Sequence, residues 1–188
     1  MMVQLTSKYI EIANSKHGKD ENVAHTAAYG LGEFGYLLPK ADFTPYLANS
    51  VMIIRKAIMK PDAFDEDNLI TTENSLGALA KLCYAHMDGT VLTPVDLVSV
   101  LNRIPFSSDE NESMTTHRLL LDQIEMQGSV VHNEIIKPAA REALNRIKQQ
   151  IDEEGAQVEN RILDAANIQR LSKINLWWSQ QVIALQIA

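Results

Sequence analysis

The sequence predicts an all-α protein built from about four repeated pairs of helices. Apolar residues recur every three or four positions through most of the chain, which is the spacing of one buried helix face. Similar helical segments return at intervals of 45, 44 and 43 residues, and no stretch shows the alternating pattern of a strand. The chain holds only 8 glycines and 6 prolines, which favours long helices over frequent turns. These features predict stacked helix pairs that share a continuous core.

The first repeat contains three glycines with the spacing G-x-G-x-x-G of dinucleotide-binding loops, namely Gly30, Gly32 and Gly35. Such a loop requires a preceding strand and an acidic residue about 20 positions later. Residues 50–55 contain no acid, and one apolar stripe runs straight through the glycines. We therefore predict a single helix through this stretch. Its glycines, which have no side chain, would allow a neighbouring helix to approach closely. The stripe consists of Val23, Ala27, Leu31, Phe34 and Leu38.

Four leucines mark equivalent positions of the repeats, and we expect each of them to be buried. The expected repeats cover residues 1–40, 41–89, 90–128 and 129–173 of a single segment, and a terminal helix covers 174–188. The four leucines are Leu31, Leu76, Leu120 and Leu163.

Two Thr-Pro pairs predict where helices begin. Thr44 and Thr93 are expected N-caps, because each precedes a proline that suits the first position of a helix. Asp96 follows Thr93 at the position of the acidic member of a capping box.

Composition and charge exclude several classes of protein. The net charge of −7 argues against non-specific nucleic-acid binding and favours basic or neutral partners. The single cysteine, Cys83, leaves no disulfide framework and fits a reducing compartment. The first residues lack the pattern of a signal peptide, and no stretch approaches 18 uncharged apolar residues, so we expect no membrane span.

No pattern in the chain points to an enzyme. No two of the five histidines are four positions apart, and there is no cluster of thiolates, so neither a metal nor another cofactor is expected. G-x-S-x-G is absent, and no Ser, His and Asp arrangement is indicated. We therefore expect no catalytic residues. His117 lies on the core side of its helix and is expected to be a buried histidine with satisfied hydrogen bonds.

Two stretches resemble a known class of helical repeat. "DENVAHTAAYGLGEFGYLLP" (20–39) resembles the second helix of a HEAT repeat, although Ala24 stands where that family often has Arg. "AAYGLGEF", followed about 40 residues later by "ITTENSLGALAKL", resembles the C-terminal region of the importin-β superfamily, nearest to its importin-β3 branch. The resemblance covers residues 1 to 130 and thins beyond them. It implies an α-solenoid of HEAT repeats, an α-α superhelix.

The resemblance also implies a function. Members of the superfamily are long nuclear transport receptors that bind import cargo, Ran-GTP and nucleoporin Phe-Gly repeats, and they shuttle between cytoplasm and nucleus. We expect this chain to be the last four or so repeats of such a receptor. The alternative is a HEAT scaffold that organises other proteins, such as a phosphatase regulatory or condensin-like subunit. A helix predicted near residues 3–13 has apolar residues on more than one side, which predicts self-association.

The resemblance places cargo recognition on an inner surface formed by the second helix of each repeat. On that surface, acids would attract a basic peptide, and an amide would hydrogen-bond an extended backbone. A solvated helix surface carries the same kinds of residue, so the alternative of a plain surface stays open. In the last helix, one of two adjacent tryptophans is a candidate partner anchor. The candidate binding residues are Tyr29, Glu33, Glu73, Asn74, Asp122 and Trp178.

Overall fold

A computed structural model describes residues 2–15, 21–155 and 162–187 of the chain. These residues form eight α-helices and two short 3-10 segments and include no strand, so the predicted all-α class is confirmed. None of these helices is both long enough and apolar enough to cross a membrane. The helices are α1 (Met2–Asn14), α2 (Glu21–Leu37), α3 (Lys40–Ile58), α4 (Leu69–His86), α5 (Pro94–Leu101), α6 (Glu110–Glu125), α7 (Lys137–Glu154) and α8 (Ala165–Ile187).

The chain forms two compact units, one up to Val100 and one from Leu101 onward. In the first unit, α4 packs against both α2 and α3, while α1 also contacts α2 and α3. In the second unit, α8 packs against both α6 and α7. Helices of the first unit therefore contact the next helix and the next but one, whereas in the second unit contacts of both kinds involve α8. That arrangement lets helix pairs bury apolar faces that one pair alone would expose.

Helix α2 runs without a break through the three glycines, which confirms that they form no phosphate-binding loop. A Cβ atom added to Gly32 would lie 2.5 Å from Cβ and 2.6 Å from Cα of Ala78 on α4. The two helices are therefore in contact at their backbones, as the close-approach interpretation predicted. A Cβ on Gly35 would likewise lie 2.1 Å from a methyl carbon of Leu82.

The start of α3 differs from the prediction. The helix begins at Lys40, directly after Pro39, and Pro45 lies inside it rather than at its first position. Thr44 is therefore not the N-cap, and its hydroxyl donates a hydrogen bond to the Lys40 carbonyl, 2.7 Å away. Pro39 is the N-cap, where no intrahelical N–H is needed. Pro45 is the sixth helical residue, so it lacks the N–H that would bond the Ala41 carbonyl. The path of the chain after α2 determines which of the two prolines marks the start of α3.

The start of α5 agrees with the prediction. The Asp96 carboxylate accepts hydrogen bonds from the backbone N–H and the hydroxyl of Thr93, at 2.8 and 2.9 Å. Pro94 is the first residue of the helix. The bond from the Thr93 N–H to Asp96 is the acidic half of the expected capping box. The other half is absent, because the Asp96 N–H donates to the Thr93 carbonyl at 3.0 Å and not to the Thr93 hydroxyl.

All four anchor leucines are buried, with at most 1% of their surface exposed. Leu163, however, precedes α8, because Asp164 caps that helix by accepting a hydrogen bond from the Asn167 backbone N–H at 2.9 Å. Helix α8 therefore begins later than the leucine spacing suggested. Helix α8 then continues unbroken from Ala165 to Ile187, so no separate terminal helix begins at residue 174.

His117 connects three segments of the second unit and is buried, as predicted. Its Nε2 accepts a hydrogen bond from the Phe106 backbone N–H at 3.0 Å, and its Nδ1 lies 2.9 Å from the Ile162 carbonyl oxygen. This arrangement requires the neutral ring with its proton on Nδ1, which donates to that carbonyl. Burial accordingly lowers the pKa of His117 to about 4.

Candidate partner-binding surface

The exposed face of α2 carries two tyrosines that flank a carboxylate. Tyr29, Glu33 and Tyr36 lie at helical spacing on one side of the helix, because residues three or four apart share a face. The exposed fractions are 43% for Tyr29 and 36% for Tyr36, and Leu37 beside them is 62% exposed. We call Tyr29, Glu33, Tyr36 and Leu37 the tyrosine face.

Glu33 is paired rather than free. Its Oε1 lies 2.8 Å from Nζ of Lys81 on α4, a lysine whose side chain is only 2% exposed. The same Nζ lies 5.2 Å from the centroid of the Tyr29 ring, within the range of a cation–π contact. A buried ammonium needs such compensation, because removal from water costs it several kcal/mol. Glu33 therefore stabilises the α2–α4 interface, and its charge is largely neutralised for an incoming partner.

Glu73 and Asn74 lie in the interior, where the sequence placed them on an exposed inner surface. Their exposed fractions are 6% and 1%, and the Asn74 amide donates a hydrogen bond to the Ile70 carbonyl at 2.9 Å. Both side chains have interaction partners within the protein. The expected exposure is wrong because α4 has neighbours on two sides. Every residue from 72 to 83 is buried, on all sides of the helix. An extended peptide would reach these two residues only if α4 lost a neighbour.

Asp122 belongs to the second unit, and it is also paired. Arg170 of α8 places Nη2 at 2.7 Å from an Asp122 oxygen and at 2.8 Å from a Glu125 oxygen on α6. Asn167 accepts a further hydrogen bond from Arg170 Nη1 at 2.6 Å, and Asp164 holds the Asn167 amide. The hydrogen bond to Glu125 is the main reason that the pKa of Arg170 is raised. Asp122 is therefore part of a charge network that links α6 with α8.

The pairs Glu33–Lys81 and Asp122–Arg170 are equivalent. Each joins a helix to the next helix but one, α2 to α4 and α6 to α8, across 48 positions of sequence. Glu33 and Asp122 each lie two residues after an anchor leucine, so the repeat spacing selected both acids as candidate residues. It did not identify their basic partners, although a Lys or Arg one repeat further along was the available signal.

Trp178 is part of α8, but the structure does not describe its side chain. The candidate residues are thus divided. Tyr29 and Glu33 come together on α2, Glu73 and Asn74 lie inside the first unit, and Asp122 lies in the second unit.

A pocket of about 350 Å³ next to the Asp122–Arg170 network was not predicted. Its lining includes the apolar side chains of Ile124 and Ile174, together with Glu125 and Lys173 as charges of opposite sign. His132 also lines it and lies 3.2 Å from the Met126 carbonyl. Because its residues come from two helices and the turn after α6, no single stretch of sequence carries a signal for it.

Among the residues described here, no three His, Cys, Asp or Glu side chains lie close enough to hold a metal ion. Comparison of the chain with protein-family models, with curated proteins and with solved structures found no match.

Proposed function

We propose that this chain is a segment of a HEAT-repeat α-solenoid that binds other proteins, within a nuclear transport receptor of the importin-β type that shuttles between cytoplasm and nucleus. The observation that carries the repeat architecture is the recurrence of one ion pair, Glu33–Lys81 and Asp122–Arg170, at equivalent positions. Helix contacts to the next and the next-but-one neighbour support it further. The assignment to nuclear transport rests on the resemblance of residues 20–39 and 70–82.

The tyrosine face is the surface that we assign to the partner. Tyr29 and Tyr36 offer large, rigid side chains of the type that dominates binding energy at protein interfaces. The net charge of −7 favours a basic partner and speeds its approach. Glu33 contributes less attraction than the sequence suggested, since Lys81 balances it.

The test is a binding panel on the full chain: a lysine-rich import-signal peptide, Ran-GTP and a nucleoporin Phe-Gly segment. We expect at least one of them to bind, and we expect Tyr29→Ala to weaken that binding by about tenfold or more. Phe64→Ala is the matched control, because Phe64 is 40% exposed on a different part of the same unit. If none of the three probes binds, the proposal of a transport function in this chain is wrong.

A HEAT scaffold that organises other proteins is the second candidate. The burial of Glu73 and Asn74 favours it, because that burial removes two members of the expected cargo track from the surface. Capture of a defined protein partner that depends on Tyr29, together with no response to the three transport probes, is the result that supports the scaffold.

A further inference from the structure

An open groove of about 450 Å³ lies along α3 in the first unit, away from the residues assigned above. Helix α3 forms one wall, and the turn before α5 forms the other. From Ala48 to Met59 the helix rises by about 16 Å, which matches about five residues of an extended peptide. We call it the methionine groove. Its lining residues are Ala48, Val51, Met52, Arg55, Lys56, Met59, Thr90 and Val91.

The apolar part of the groove is unusually exposed. Met52 is 53% exposed and Met59 is 79% exposed, one on each side of the two basic residues, while Val51 beneath them is buried. Methionine side chains are flexible and polarizable, so an exposed pair adapts to apolar side chains of different shapes. The groove therefore suits one or two large apolar side chains of a partner.

The charges in the groove are all of one sign. Arg55 and Lys56 line it, and no acid does, although the whole chain has a net charge of −7. Asp96 balances part of the Arg55 charge through a contact of 2.6 Å, so Lys56 supplies most of the free positive charge. A segment with an acidic side chain next to its apolar ones is complementary to this arrangement.

The second wall is held in place before anything binds. Arg55 Nη2 donates a hydrogen bond to the Val91 carbonyl at 3.0 Å, which ties the turn to α3. The Asp88 carboxylate accepts hydrogen bonds from the N–H groups of Thr90 and Val91 at 2.9 and 3.1 Å. A preformed wall lowers the ordering cost of binding.

We propose that the methionine groove binds a short segment of a partner protein in which an acidic side chain is adjacent to one or two large apolar side chains. Its length, openness and charge suit a peptide better than a compact small molecule. This site is separate from the tyrosine face and does not depend on a function in nuclear transport.

The experiment selects binders from a displayed library of random dodecapeptides on the full chain, and measures their affinity by fluorescence anisotropy. We expect the selected peptides to combine Asp or Glu with Leu, Ile, Phe or Met. Met52→Asp and Lys56→Glu should each weaken their binding by about tenfold or more. The Lys56→Glu variant should also reduce the dependence of binding on salt, because it removes a screened attraction.

Matched controls lie in the second unit. Met126→Asp changes a methionine that is 54% exposed, and Lys137→Glu changes an exposed lysine; neither should affect binding. Thermal melts of all four variants establish that each is folded. Tyr29→Ala should leave the selected peptides bound, which separates this site from the tyrosine face.

Three results would overturn the proposal. The first is a selection that yields no peptide whose binding depends on Met52. The second is enrichment of basic peptides. The third is binding to phosphatidylserine vesicles or to single-stranded RNA that Met52→Asp and Lys56→Glu abolish while no peptide binds, because the groove would then serve a different class of partner.

Discussion

At the scale of single residues, two buried polar side chains each have defined partners. Lys81 is buried and has the Glu33 carboxylate, and His117 is buried with both ring nitrogens hydrogen-bonded. At Gly32 the interior leaves no space for a side chain, because Ala78 occupies the position that a Cβ atom would take.

Gly32→Ala should destabilise the first unit by about 1–3 kcal/mol, although Ala is the better helix former by about 1 kcal/mol. The new methyl group would meet the Ala78 Cα at 2.6 Å, and a backbone atom cannot rotate away. Gly30→Ala is the comparison, since its Cβ would meet only the ring of Tyr9, a side chain able to move. Urea unfolding monitored by circular dichroism gives both values. A Gly32→Ala variant as stable as the parent would contradict the packing argument.

His117 should make the second unit less stable at acidic pH. The pKa is 6.5 when unfolded and about 4 when folded, so between these values only the unfolded state binds the proton. The stabilisation is complete above pH 6.5 and is lost as the pH falls toward 4, by up to about 3 kcal/mol.

The measurement for His117 is urea unfolding of the parent and His117→Gln at several pH values from 7.5 to 4.5. The difference in stability between them should shrink as the pH falls. Burial also lowers the pKa of His86, but that histidine is present in both proteins and its effect cancels. A difference that stays constant with pH would show that His117 does not titrate in this way.

At the scale of helices, side-chain contacts connect positions about one repeat apart. Arg55 binds Asp96 across 41 positions, and Arg146 binds the Ile104 and Leu101 carbonyls across 42 and 45 positions. These contacts lie on the first helices of the pairs, as the pairs Glu33–Lys81 and Asp122–Arg170 lie on the second helices. Within each unit, specific polar contacts therefore add to apolar burial in holding the helices together.

The two equivalent ion pairs should differ in energetic weight. Glu33→Gln removes the carboxylate that lies 2.8 Å from the buried Lys81 ammonium. It should cost about 2–3 kcal/mol, somewhat below a fully buried pair because the Glu33 side chain is 29% exposed. Asp122→Asn should cost about 1 kcal/mol or less, because Arg170 is 28% exposed and keeps Glu125. Equilibrium unfolding of both variants measures the two costs. Equal costs would mean that burial of the cation does not set the energy.

At the scale of the whole molecule, two properties bear on association with other proteins: the net charge of −7 and the exposed apolar side chains. The charge favours basic partners in general. The exposed apolar side chains lie in three separate places, the tyrosine face, the methionine groove and α1, and each is a proposed contact.

Helix α1 should mediate self-association of the full chain. Leu5 and Ile12 lie seven positions apart on one side of the helix, and their exposed fractions are 41% and 46%. Sedimentation velocity of the parent should show mass that increases with concentration, and the double variant Leu5→Lys with Ile12→Lys should stay monomeric. Ile135→Lys, which changes a residue 62% exposed in the second unit, should behave as the parent. A parent that is monomeric at all concentrations excludes this role for α1.

The sequence alone determined the helical class, the repeat spacing and the burial of the four anchor leucines, because periodicity and capping are local properties of the chain. It also showed that α2 passes through its glycines, since an apolar stripe continues across them.

Only the tertiary structure decided which helices are buried on a second face, in addition to the apolar face that the sequence predicts. The apolar periodicity of a helix predicts one buried face. Helix α4 has neighbours on two sides, so Asn74 is buried although it lies outside the apolar stripe. The partners of Glu33 and Asp122 likewise depend on which side chains meet across 48 positions of sequence. Burial and ion pairing of this kind depend on the number and placement of neighbouring helices, and the residues of one helix do not encode either.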